Sequence, residues 1–137
     1  SIIKGMKKIQ SQSTSNASSI AQAAAVAALD GDQTYIKVST RIFKERHDFV
    51  LKSLQEIDGI ECLPSEGTFY SFPDMNGLIE KLEGISNDIE LAEFFLEEAR
   101  VAMVPGSAFG ASGCMRISFA TSMENLEKSM ERIKAAL

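Results

Sequence analysis

Residues 115–133 read MRISFATSMENLEKSMERI, and this stretch carries the pattern that decides the fold. Side chains alternate between the two faces of a β-strand, so Met115, Ile117 and Phe119 share one apolar face. The segment that follows, residues 122–137, repeats apolar side chains at helical spacing, namely Met123, Leu126, Met130, Ile133 and Leu137. A strand buried on one face and followed by an amphipathic helix predicts helices packed on a small sheet.

The rest of the chain predicts the same mixture of short strands and helices. Helices are predicted over residues 20–29, 33–57, 76–83, 88–99 and 122–137, and strands over residues 60–63, 68–72, 101–104 and 115–119. For the last helix, Thr121 and Glu124 have the spacing of a capping box, so we expect Thr121 to be its N-cap. The predicted fold class is α/β in the broad sense, with helices packed on a small sheet.

The composition argues against several kinds of partner and site. The 137 residues carry a net charge of −5, which is unfavourable for binding a nucleic acid or an anionic membrane. No apolar run is long enough to span a bilayer. Cys62 and Cys114 lie far apart in the sequence, so neither a disulfide framework nor a metal site is expected. We expect a cytoplasmic protein.

The N-terminal part of the chain changes abruptly from polar to alanine-rich. Residues 11–19 are rich in hydroxyl side chains, which predicts a loop that caps the helix over residues 20–29. The small side chains of that helix predict close packing against a large surface, and an isolated small domain offers little of this kind. The pattern therefore indicates a missing packing partner.

Arg116 is the residue most informative about function. It shares its strand face with Cys114, Ser118 and Ala120, all of which are small, so a ligand has room beside its guanidinium. The planar guanidinium suits a carboxylate held by two hydrogen bonds. An arginine considered alone is more often paired with a surface carboxylate. The glycine-rich loop over residues 104–110 favours the alternative, a small-ligand cleft.

Four runs of sequence, in this order and spacing, resemble the C-terminal third of class I aminotransferases, and most closely the bacterial aspartate aminotransferase branch. The resemblance covers essentially the whole chain. The four runs are SQSTSNASSIAQAAAVAAL, GTFYSFP, VAMVPGSAFG and MRISFATSMENLEKSMERI.

This resemblance implies the C-terminal part of an enzyme of pyridoxal phosphate (PLP) fold type I. Residues 1–32 would be a remnant of the large PLP-binding domain, residues 33–57 the inter-domain helix, and residues 58–137 the α+β small domain. The family is expected to be homodimeric. Ser15 and Asn16 would then lie near the dimer interface and the neighbouring subunit's active site.

The resemblance also implies a role for Arg116, which would bind the α-carboxylate of the amino-acid substrate. The whole enzyme would use PLP to transfer an amino group between an amino acid and a 2-oxo acid. The Ser-Lys run that carries the family's Schiff-base lysine does not occur in this sequence, and Lys4, Lys7 and Lys8 are in the wrong context. The chain alone is therefore expected to be inactive and to bind no PLP.

Other interpretations remain open. The chain could be a natural non-catalytic module that binds small carboxylates or docks to a partner. The whole enzyme could also act on another amino acid, or catalyse decarboxylation or elimination. Among individual residues, His47 is expected to face solvent, because it lies between Arg46 and Asp48. Tyr70 is expected to line the cleft or to lie in the core.

Overall fold

The computed structural model describes residues 1–13 and 15–137, so Thr14, in the predicted loop over residues 11–19, lies outside the described residues. The chain divides into two compact units, Ser1–Val38 and Ser39–Leu137. The assignment of residues 1–32, 33–57 and 58–137 to parts of a larger enzyme stays a prediction.

The first unit contains helices α1 (Ile2–Ser13) and α2 (Ser19–Asp30). The predicted helix over residues 20–29 is confirmed, and the Ser18 hydroxyl caps it by accepting a hydrogen bond of 3.3 Å from the Ala21 N–H. The predicted loop over residues 11–19 is wrong in its first three residues, because α1 extends to Ser13. Helical geometry there lets the Ser13 hydroxyl donate to the Ile9 carbonyl at 2.9 Å.

Helix α3 (Thr34–Gln55) confirms the long helix predicted over residues 33–57. A carboxylate oxygen of Asp32 accepts hydrogen bonds from the Thr34 backbone N–H and hydroxyl, at 2.9 and 2.6 Å, and so caps its start. Soon after the helix ends, Gly59 adopts a φ of +92°. A Cβ there would lie 2.6 Å from the Gly77 backbone, so both conformation and space favour glycine.

The second unit is built around a three-stranded antiparallel sheet with strand order β1-β3-β2. Its strands are shorter than predicted: β1 (Tyr70–Ser71), β2 (Val104–Pro105) and β3 (Met115–Ser118). One reason is Thr68, whose φ of +64° interrupts the extended backbone before β1. The strand predicted over residues 60–63 is wrong, since Glu61 forms only an isolated bridge to Asp74.

Three further helices belong to the second unit: α4 (Asn76–Ile79), α5 (Asp88–Glu97) and α6 (Met123–Ala136). The expected cap of α6 at Thr121 is wrong. Ser122 caps the helix instead, because its hydroxyl accepts the Asn125 backbone N–H at 3.2 Å. Thr121 lies one residue too early for this bond and accepts from the Asn125 side chain at 3.0 Å.

The core of the second unit draws on α3, α4, α5, α6 and β3. Burying this apolar surface is the main stabilising contribution to the unit. The expected fold class, helices packed on a small sheet, is therefore confirmed. The buried apolar residues are Val50, Leu54, Ile57, Ile60, Cys62, Met75, Leu78, Ile79, Leu91, Phe95, Ala99, Met115, Ile117, Phe119, Leu126, Met130 and Ile133.

Candidate functional site

Strand β3 places Arg116 on the open face of the sheet. Met115, Ile117 and Phe119 are buried on the opposite face, as the alternation of side chains predicts. Arg116 is half-buried, and Ser118 next to it on the open face is exposed. The central strand therefore directs Arg116 away from the buried core, on a face where its side chain remains partly exposed.

The guanidinium of Arg116 contacts two aromatic rings. Its Cζ atom lies over the Tyr70 ring at 4.6 Å and over the Phe109 ring at 4.5 Å. Phe72 meets Phe109 edge-on, with ring centroids 6.2 Å apart. None of the ion pairs among residues 1–13 and 15–137 includes Arg116. Its hydrogen-bond donors are thus not committed to a carboxylate of the described chain.

A tight turn carries Phe109 to this position. Residues Gly106–Phe109 form a single 3₁₀ turn, which ends at Gly110 with a φ of +78°. The Gly106 N–H donates to the Cys114 carbonyl at 2.7 Å, and the Ala111 N–H donates to the Gly106 carbonyl at 3.0 Å. A Cβ on Gly106 would lie 2.3 Å from the Ala111 carbonyl oxygen, so only glycine fits there.

Tyr70 lies on the sheet face of Arg116, outside the buried core. It is half-buried, and it lies opposite Ser118 in the sheet, on the same face as Arg116. Its ring also stacks at a tilt on Phe69, with centroids 4.4 Å apart. Of the two positions expected for Tyr70, the core is wrong, because the residue is only half-buried and lies on the face of the sheet opposite the core.

His47 corrects an expectation from the sequence, because it is buried rather than solvent-facing. Its Nε2 atom accepts a hydrogen bond from the Ser65 N–H, and its ring meets Phe119 edge-on at 5.7 Å. The charged neighbours of His47 concealed its position. The helical spacing of His47, Val50 and Leu54, all buried on α3, was the pattern that could have revealed it.

Ser15 and Asn16 belong to the first unit, where both are exposed. They line a shallow polar depression together with Lys7, Gln10 and Ser11. This position offers hydroxyl and amide groups at an accessible surface of that unit. The structure assigns them no further role.

The cysteines and acidic residues of the described chain form no separate reactive site. Burial raises the pKa of the Cys62 thiol. Burial, and then the negative charges of Asp74 and Asp88, raise the pKa of the Cys114 thiol, so both remain protonated and poorly nucleophilic. In the part of the chain that the structure describes, no cluster of three or more metal-ligating side chains is found. Within the same part, no helix is both long and apolar enough for a membrane span.

Comparison with known protein families identifies the family of this chain. The model of the family described as aminotransferase class I and II matches residues 1–133. The chain belongs to this family. Its sequence is 50% identical to that of the aspartate/prephenate aminotransferase of Nitrosomonas europaea. The match covers 99% of this chain and 36% of that protein. It is also 47% identical to an aspartate aminotransferase of Rhizobium meliloti, and that match covers 98% of this chain and 34% of the other protein.

A solved structure shows the same fold. The aspartate aminotransferase of Rhizobium meliloti superposes with a TM-score of 0.85 at 46% identity, covering 98% of this chain and 34% of that one. The fold is therefore that of a PLP fold type I aminotransferase. The chain spans about a third of the length of the relatives it matches.

PLP is the cofactor of the aminotransferase family, and the residues around Arg116 can be tested for a fit to it. Such a site needs an amine for the aldimine and donors for the phosphate group. The sequence has no lysine between residues 53 and 80 or between 82 and 127, which include the whole sheet. The described contacts of the Arg116 guanidinium are aromatic rings. These residues do not form a PLP site by themselves.

Proposed function

We propose that this chain is the C-terminal part of an aspartate aminotransferase-like enzyme, in which Arg116 receives the α-carboxylate of the substrate. The whole enzyme would transfer an amino group between an amino acid and a 2-oxo acid. One observation carries the proposal: the guanidinium of half-buried Arg116 has no carboxylate partner among the described residues and contacts two aromatic rings. The family relationship supports it.

The chemistry of Arg116 fits this role. A guanidinium offers parallel N–H donors to the two oxygens of a carboxylate, and such bonds are stronger than those between neutral groups. An internal ion pair of Arg116 would compete with the substrate, and none of the ion pairs among the described residues includes Arg116. Holding the carboxylate at a fixed strand position also orients the adjoining Cα atom. Arg116 would therefore bind and orient the substrate without itself taking part in proton transfer.

We also propose that the chain alone is inactive and binds no PLP. Support comes from the Ser-Lys run that is missing from the sequence and from the positions of the lysines. Lys81, Lys128 and Lys134 form ion pairs with carboxylates, and none of them lies on the sheet. Incubation with aspartate, 2-oxoglutarate and PLP should give no turnover. A saturable PLP absorbance band that survives dialysis would contradict the proposal.

The dimer is a further part of the proposal. Ser15 and Asn16 would lie near the active site of a neighbouring subunit in the whole enzyme. Their exposure and polar side chains in the first unit support this position. In the whole enzyme, a mixed dimer would test it. Activity should return, at about half that of the unaltered dimer, when a subunit altered at Asn16 is combined with one altered at Arg116, since one of the two sites then has both residues intact.

A titration tests the role of Arg116 directly. Addition of 2-oxoglutarate to the chain should shift the Nε–Hε resonance of Arg116 saturably, with a Kd on the order of millimolar or weaker, because a single bidentate contact is available. The Arg116→Gln variant should lose the response, whereas Arg132→Gln, on the exposed side of α6, should keep it. A response that survives Arg116→Gln would refute the proposed role.

The non-catalytic alternative can be distinguished by the source gene. If the reading frame that encodes this chain continues upstream through a Ser-Lys run, the chain is part of an aminotransferase. A stop codon directly upstream would favour a natural carboxylate-binding or partner-docking module.

A further inference from the structure

Two edges of the sheet contribute the aromatic rings that contact Arg116. Tyr70 is on β1 and lies opposite Ser118, whereas Phe109 is in the turn that follows β2. Val104 of β2 lies opposite Arg116 itself. Because β3 is the central strand, one ring reaches the guanidinium from each side of that strand.

This arrangement determines which part of the guanidinium a ligand can reach. Both rings lie within 5 Å of Cζ, a distance at which a cation is attracted to the π-electrons of an aromatic ring. Where the rings contact the guanidinium, they occupy space that a ligand would otherwise use. The N–H groups lie in the plane of the guanidinium, so a planar carboxylate can still approach them from the edge.

A buried carboxylate holds the turn that carries Phe109. Asp88, at the first position of α5, is buried, and its Oδ2 atom accepts a hydrogen bond of 2.7 Å from the Ser107 N–H. Burial raises the pKa of Asp88, but hydrogen bonds from Ser107 and Gly113 outweigh it, and the pKa is lowered overall. Its ionised form therefore connects α5 to the turn two residues before Phe109.

We propose that Tyr70 and Phe109 are positioning residues that hold the Arg116 guanidinium with its edge toward the ligand, and that Asp88 fixes Phe109 by anchoring Ser107. The inference rests on the proposed role of Arg116 in carboxylate binding. A flexible arginine loses rotamer freedom when it binds a ligand, and a side chain already held by two rings loses less. The rings thereby increase affinity without touching the carboxylate.

The position of the rings has a spectroscopic signature that requires no ligand. In the free 137-residue chain, ring currents should move the Arg116 Hε resonance upfield of that of Arg132, which has no described ring contact. Relaxation of the Arg116 Nε atom should report restricted motion. The Phe109→Leu and Tyr70→Leu variants, which keep apolar bulk without a ring, should each reduce both effects. The Tyr70→Phe variant keeps the ring and should preserve them.

Carboxylate affinity provides the second measurement. The Phe109→Leu variant should bind 2-oxoglutarate roughly two- to tenfold more weakly, the change expected for losing one cation–π contact. Tyr70→Phe should match the unaltered chain. Wild-type affinity in both leucine variants would overturn the positioning role while leaving the proposed function intact. Absence of saturable binding to the unaltered chain would instead refute the proposed function.

Asp88→Asn tests the anchoring step. This variant should increase the mobility of the Arg116 Nε atom and weaken 2-oxoglutarate binding, although Asp88 does not contact the arginine in the described interactions. The control is Ile133→Val, a destabilising change at a buried position of α6. It should change neither the mobility of the Arg116 Nε atom nor the binding of 2-oxoglutarate. Equal effects of the two variants on Arg116 would show that Asp88 acts through stability alone, and would overturn the anchoring role.

Discussion

The Nε2 atom of His47 accepts a hydrogen bond of 3.1 Å from the backbone N–H of Ser65, which is 18 residues further along the chain. The Nδ1 atom of the same ring lies 3.0 Å from a carboxylate oxygen of Asp48. A neutral ring with its proton on Nδ1 satisfies both partners. His47 thus connects α3 to the turn that leads into β1, the strand that carries Tyr70.

Replacement of His47 by alanine should lower the free energy of unfolding by about 1–3 kcal/mol, because the partly buried Ser65 N–H loses its acceptor and Phe119 loses an edge contact. Urea unfolding followed by circular dichroism measures the change. Lys52→Ala, an exposed position on the same helix, is the control and should change stability little. A loss no larger than that of the control would show that the His47–Ser65 bond contributes nothing to stability.

The Asp88 carboxylate should make stability depend on pH. Because its folded-state pKa is lowered, the stabilisation it provides is complete above its unfolded pKa, roughly 4, and is lost as the pH falls through the folded value. Asp88→Asn should therefore lower the free energy of unfolding by about 1–3 kcal/mol near neutral pH. This difference from the unaltered chain should shrink below about pH 4. Urea midpoints across this range measure it.

Glu93→Gln is a suitable comparison for Asp88→Asn, since it removes an exposed carboxylate from the same helix. It should change stability little at any pH. A constant difference between Asp88→Asn and the unaltered chain, from neutral pH to about pH 3, would mean that ionised Asp88 is not the stabilising form.

Much of the fold could be predicted from local sequence. Periodic apolar residues located the long helix α3 and the final helix, and strand alternation separated Arg116 from the buried Met115 and Ile117. Those patterns depend on side-chain direction within one element, which sequence spacing determines. The resemblance of four sequence runs to class I aminotransferases also predicted the family correctly.

Other features depend on contacts between distant residues. The sequence associated the loop over residues 104–110 with Arg116, but the contacts of Tyr70 and Phe109 with the guanidinium follow from β1 and β2 flanking β3. Burial of His47 depends on a turn 18 residues away. Strand length was overpredicted for a related reason, since a backbone turn such as that at Thr68 ends pairing irrespective of β-propensity.

Two glycines of one turn should respond differently to alanine. Gly106→Ala should be strongly destabilising, by roughly 3 kcal/mol or more, because its Cβ would overlap the Ala111 carbonyl oxygen and atoms of Cys114. At Gly110 a Cβ meets nothing within 4 Å, so Gly110→Ala should cost only about 1 kcal/mol for its positive φ. Thermal or urea unfolding of both variants provides the comparison. Equal costs would mean that the overlap at Gly106 is relieved by small shifts of its neighbours, and would contradict the prediction.

The helices of the first unit should exchange amide hydrogens much faster than those of the second. Neither α1 nor α2 buries any residue, and a 12-residue helix without tertiary packing is only marginally stable in water. Large apolar side chains such as Ile2, Ile20 and Leu29 are exposed on them. Hydrogen exchange read by mass spectrometry should therefore show fast exchange over these helices and slow exchange over α6, whose apolar face is buried.

If α1 and α2 are instead protected by self-association, their protection should fall on dilution. Protection equal to that of α6, in a sample that light scattering shows to be monomeric, would contradict both outcomes.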